Sequence, residues 1–212
     1  MIDIRRGEHR DLVFATLFHF FILFGYFMLR PARESLGLNS GIEVVAYLFI
    51  GTLVATAALN APFAWAVSTL PRRRFVPLTY RAFMLVILGF GAVFLLRGVG
   101  AGNGGEPDVV TLWISRSYYI FVTVFALFNT MVFWAVMTDT FDRTQCARLY
   151  PLVAIGGTAG ALVGSTVAWW LADALGPVAN LLAEWTPALS RVSGTAVVVL
   201  ISIVLFESAI RC

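Results

Sequence analysis

The residues best equipped for chemistry in this chain are arginines. The stretch LRPARESLG, Leu29 to Gly37, places Arg30, Arg33 and Glu34 directly after a long apolar run. Arg30 and Arg33 are three positions apart, so on a helix they share a face. A guanidinium keeps its charge when partly desolvated and presents a planar fork of donors that grips a carboxylate or phosphate with two hydrogen bonds. With Arg116, which opens a later apolar run beside Tyr118 and Tyr119, these side chains are candidate ligands for an anion. The plainer alternative is that they snorkel from helix ends to the membrane surface. Three polar residues lie in mid-run, His19, Asn60 and Asn129. Polar groups at membrane depth are costly and face a cavity or one another, so His19 and Asn129 join the candidate substrate-binding set. A neutral His19 bonded to a neighbouring helix is the competing reading.

Other chemistries find little support. Intramembrane hydrolysis needs a nucleophile and its base, or a set of metal ligands, facing one another at depth. The chain has two histidines, His9 and His19, no His-Glu-x-x-His motif and no acid in mid-span. The expectation is a protein that is not an enzyme and uses no metal and no cofactor. Cys146 and Cys212 are far apart and imply no disulfide framework. All fifteen basic residues are arginine, which suits anion binding and equally suits a genome rich in G and C. They flank apolar runs instead of forming a basic face, so nucleic acid is not an expected partner.

The elements that must hold these residues are membrane spans. Of 212 residues 59% are hydrophobic and 13% charged, with a mean hydropathy of +0.85; a soluble domain carries about 25% charged residues. About twenty apolar residues cross a bilayer as a helix. Six segments qualify, at about 11–30, 45–69, 78–97, 113–138, 151–173 and 193–210. The breaks fall at Arg30-Pro31, at Pro71 with three arginines, at Gly98 to Pro107, at Asp142 to Tyr150 and at Gly176-Pro177. The first run is longer than a signal-peptide core and is followed by no small-x-small cleavage site, so it reads as a retained anchor. With the N-terminus inside, ten arginines lie on inner flanks and five on outer flanks, which puts both termini in the cytoplasm of a plasma (bacterial inner) membrane protein. Arg30 and Arg33 then lie at the outer mouth, against the prevailing charge asymmetry.

Two patterns point to motion and packing. Arg72, Arg73 and Arg74 fill a short inner loop, and the next inner loop brings Asp139 and Asp142 beside Arg143 and Arg148. Positive-inside anchoring explains the arginines; a charged latch that breaks when helices rock is the sharper expectation, with Arg72, Arg73, Arg74, Asp139, Asp142 and Arg148 as its gating residues. Gly156, Gly160 and Gly164 recur every four residues in the fifth span, which lets another helix backbone approach closely. Gly51, Ala55 and Ala58 form a looser version in the second. Either face packs within the bundle or against a second one.

The stretches LRPARESLG, PFAWAVSTLPRRRF and FWAVMTDTFDRTQCARLYPLVAIGGTAGALVGS resemble the first half of the ATP/ADP translocase family, a branch related to the major facilitator superfamily. The correspondence rests on Arg30 with Arg33-Glu34, on Phe133-Trp134, and on Arg148 to Pro151 ahead of the glycine-bearing helix. Membership would imply an all-α membrane protein whose six helices form one bundle, half of a major-facilitator-type transporter, built as two inverted three-helix repeats. It would further imply nucleotide exchange by alternating access, with the second and fifth spans packed on the other bundle. The exchangers carry a lysine where Arg33 stands, and an acid near Phe121 to Thr123 where this chain has none. The expected function is therefore the broader one, a secondary transporter (or its N-terminal half) for an organic anion, with a nucleotide as one candidate. Its partners would be the lipid bilayer, a small anionic substrate and either a second six-helix half or a second copy in a homodimer. A non-catalytic membrane scaffold or assembly subunit is the alternative.

Overall fold

In hydrocarbon a backbone has no partner but itself, so long apolar segments become helices. The computed structural model describes residues 8–38, 42–97 and 108–185, and its elements are α1 (Glu8–Leu38), α2 (Ile42–Thr69), α3 (Arg72–Arg97), α4 (Val109–Thr140) and α5 (Arg143–Trp185). Each contains a stretch long and apolar enough to cross a membrane. The described chain is thus all-helical, and its five long apolar helices are those of an integral membrane protein. The expected sixth span, 193–210, lies outside the described residues.

Three helix ends differ from expectation. α1 does not stop at Arg30-Pro31 but runs on to Leu38. Proline removes one backbone donor, yet ending the helix there would strip several groups of their partners, which is worse in an apolar medium. Arg30, Arg33 and Glu34 consequently sit on the helix itself. α3 begins at Arg72, so the three arginines form its first turn instead of a loop, and the amides of Arg74 and Phe75 bond the Pro71 carbonyl at 2.8 and 3.0 Å. α5 continues through Gly176-Pro177 to Trp185. At 1.5 Å per residue it is roughly 65 Å long, about twice the hydrocarbon thickness.

α4 is the centre of the bundle and packs on α1, α2 and α3. Its Tyr118, Val122, Phe125, Val132, Phe133 and Met137 are buried in a common core with Leu12, Ile22 and Leu29 of α1 and Tyr80, Ile87 and Phe94 of α3. α2 is peripheral: only 11% of its apolar window is buried, and Tyr47, Leu53 and Trp65 stand exposed, as suits a lipid-facing helix.

The longest seam joins α1 to α5. These helices run parallel and in register, with partners separated by a constant 140 positions: Glu8 with Arg148, Thr16 with Gly156, Phe20 with Gly160, Phe24 with Gly164. A methyl group added at Gly164 would stand 2.6 Å from the Phe24 carbonyl oxygen, and one at Gly156 would stand 2.8 Å from that of Thr16. At Gly160 it would collide with the Phe20 backbone. The glycine face is therefore filled by α1 of the same bundle, the first of the two readings its spacing allows, and not by the second bundle that the resemblance implies. The Gly51 face of α2 likewise meets Ile120 of α4, where an added methyl would lie 2.8 Å from its Cδ1.

Candidate functional site

Arg33 is a largely sheltered charge near the end of α1. It leaves α1 one turn before the helix ends and turns into the seam with α4, where its side chain is only 13% exposed. Nη1 donates to Thr123 Oγ1 at 3.2 Å, Nη2 pairs with Glu34, and the guanidinium lies over the Tyr119 ring, 5.2 Å from its centroid. Thr123 is itself held, since its hydroxyl donates to the Tyr119 carbonyl at 2.8 Å. Tyr119 is fixed in turn by Gly37: a methyl there would lie 2.7 Å from the ring. Local sequence thus builds a socket. α4 supplies a hydroxyl and an aromatic face one turn apart, and the end of α1 supplies the charge and the small residue that lets the ring in.

Two buried polar atoms on α1 and α4 are unspent. Arg33 Nε and the Tyr118 hydroxyl are buried with no hydrogen-bond partner among the described residues. Tyr118 is wholly buried, edge-on to Phe90 and Phe94 at 5.3 and 5.1 Å. Buried polar groups nearly always find partners, and an unsatisfied one costs about 1–3 kcal/mol.

Arg30 and Glu34 complete the niche toward water. Arg30 is half exposed, lies over the Phe27 ring at 5.5 Å, and places Nε 3.7 Å from Glu34. Glu34 therefore bridges two arginines. Arg116 lies on the same α4 stripe as Tyr119 and Thr123, two turns from Thr123, with its guanidinium over the Trp113 ring at 5.4 Å and its Nε buried and unpartnered.

The other candidates are elsewhere. His19 lies fourteen residues before Arg33, roughly 21 Å down α1. Its Nδ1–H donates to the Val153 carbonyl at 2.9 Å, its ring stacks on Phe133 with centroids 4.1 Å apart, and Gly157 makes room for it. It pins α1, α4 and α5 together. Asn129 is buried between α3 and α4, where the Tyr80 hydroxyl donates to its Oδ1 at 2.9 Å. Neither shares a site with Arg33.

At the opposite end of α1, Arg148 pairs with Glu8 at 3.2 Å and Gln145 Nε2 donates to the same carboxylate oxygen at 3.1 Å. Gln145 also accepts the Asp142 amide at 3.0 Å, half of a capping box that starts α5. The side chains of Arg72 and Arg73 lie outside the described residues; Arg74, Asp139 and Asp142 are exposed. Glu8 escaped the sequence reading because its partner is 140 positions away. Thr123 and Tyr118 escaped it because hydroxyl residues inside an apolar run carry no mark of what they face. No group of three or more possible metal ligands occurs among the described residues. Compared with known proteins, the chain matches no family model, no curated protein and no solved structure.

Proposed function

We propose that this chain is a membrane transporter, or one half of one, that binds an organic anion at Arg33 and moves it by alternating access. The observation that carries the reading is a guanidinium held in the α1–α4 seam by Thr123 and Tyr119, with a buried donor still unspent. An arginine kept only as a lipid-headgroup anchor extends to the surface; this one turns inward. Two arginines share one carboxylate, so the niche holds a net positive charge. Preorganised, partly desolvated donors bind a carboxylate or phosphate more strongly than exposed ones, because little is lost in ordering them. In the ATP/ADP exchangers that the sequence resembles, an acid lies near the positions of Phe121 to Thr123; here none is present, which leaves Arg33 more positive. Phosphorylated anions, nucleotides among them, suit such a socket. Orientation follows from the arginine asymmetry, with the N-terminus in the cytoplasm and Arg33 toward the outer face.

The test is equilibrium binding of inorganic pyrophosphate, malate and ADP to the full chain in lipid nanodiscs, followed by uptake into liposomes. At least one probe should bind saturably. Arg33→Ala should weaken that binding by more than about tenfold, the cost of one charge-assisted hydrogen bond. Arg33→Lys should fall between the two, since a point charge replaces a fork. Binding that survives Arg33→Ala unchanged, or no binding by any probe, sinks the reading and leaves a scaffold role.

A further inference from the structure

We propose that Glu34 is an internal counter-anion that occupies Arg33 until a substrate anion displaces it, and that Arg30 is the perch it moves to, not a ligand of the substrate. The inference rests on the reading that Arg33 binds an anion, and it assigns the neighbouring residues within that site.

Of the three groups that hold the Arg33 guanidinium, two are immobile. Thr123 is tied to the Tyr119 carbonyl and the Tyr119 ring is wedged at Gly37, both on the packed α4 seam. Glu34 is the mobile one. Its side chain is 45% exposed against 13% for Arg33, so water competes for the carboxylate while the guanidinium stays sheltered. An ion pair open to water on one side holds weakly. Glu34 also has a second cation within reach: Arg30 lies one helical turn back, at the i,i+4 spacing that favours pairing, with Nε at 3.7 Å. Moving from Arg33 to Arg30 keeps one ion pair while it frees the other arginine.

What it frees has a specific shape. Glu34 holds Nη2, and Nε beside it is unpartnered. In a guanidinium, Nε–H and one Nη2–H point the same way and form the side-on fork that matches two oxygens of a carboxylate or phosphate. Glu34 blocks half of that fork and leaves the other half empty. A ligand offering two oxygens satisfies both, so it gains a hydrogen bond that Glu34 does not make. The residue thereby screens for anions: single-oxygen acceptors compete with it poorly, and bidentate ones displace it. When no anion is present, Glu34 keeps the Arg33 charge neutralised.

This arrangement predicts an inverted pattern for the acid and an indirect one for Arg30. The experiment is the same nanodisc binding assay with pyrophosphate, malate and ADP, using the full chain and checking each variant for monodispersity and helical content. Glu34→Gln removes the competitor and should tighten binding about fivefold, the scale of a half-exposed ion pair. Glu34→Asp keeps the charge and should bind less tightly than Glu34→Gln. Arg30→Ala strands Glu34 on Arg33 and should weaken binding by a similar factor. The double variant Arg30→Ala/Glu34→Gln should recover the affinity of Glu34→Gln alone, because a perch is irrelevant once its occupant is gone. If the double variant stays as weak as Arg30→Ala, Arg30 is a direct ligand and the proposal is wrong. It is equally wrong if Glu34→Gln binds no more tightly than the wild type while Arg33→Ala abolishes binding; that outcome leaves the anion site standing. No binding by the wild type or by Glu34→Gln removes both.

Discussion

Tyr80 and Asn129 show what one hydrogen bond does far from water. Each is almost wholly buried, and the Tyr80 hydroxyl donates to the amide oxygen across the α3–α4 seam. Removing the donor by Tyr80→Phe leaves a buried acceptor, at a cost of about 1 kcal/mol. The thermal midpoint in detergent should fall. Replacing both partners, as Tyr80→Phe with Asn129→Leu, should be less damaging than the single change, since no polar atom is left orphaned. A double variant less stable than Tyr80→Phe would assign Asn129 a further partner. His19 belongs to the same class of residue: its bond to the Val153 carbonyl and its stack on Phe133 make it a pin between three helices. Sequence alone marks both as polar groups in the wrong solvent, but it does not say which neighbour answers them. Arg33 differs in that its environment leaves a donor unanswered.

At the scale of helices, the α1–α5 seam depends on residues that contribute no side chain. Gly156, Gly160 and Gly164 place α5 directly against the α1 backbone, and close approach is what makes van der Waals contact between membrane helices effective. Gly160→Val should force the helices apart and cost about 1–3 kcal/mol. Gly89→Ala, where an added methyl meets nothing within 4 Å, should leave the thermal midpoint unchanged. Equal effects at the two positions would deny the seam its role. The glycine spacing was legible in the sequence as a close-packing face; its partner was not, because periodicity shows a face and not what covers it. Helix existence was legible for a similar reason: runs of apolar residues have one stable form in lipid. The ends were less so. Charge and proline at Arg30-Pro31 look like termination, yet α1 continues, because Arg33 and Leu36 beyond it are buried against the bundle.

The whole molecule has a direction. Glu8, Gln145 and Arg148 meet, so the start of α1 and the start of α5 share one end of the bundle, while Arg33 lies near the other. With the arginine asymmetry, the shared end is expected in the cytoplasm. Cysteines placed at exposed Arg10 and Arg143 in a background lacking Cys146 and Cys212 should react with a membrane-impermeant maleimide only after cells are opened. A cysteine at exposed Ser35 should react in intact cells. Labelling of all three from outside would overturn the orientation. The constant offset between α1 and α5 has a mechanical corollary. Bonded at Glu8, pinned at His19 and sunk backbone to backbone from Thr16 to Phe24, the two helices amount to a single strut. If the proposed transport holds, any rocking that opens the niche would carry α1 and α5 together against α4 and would not part them from each other.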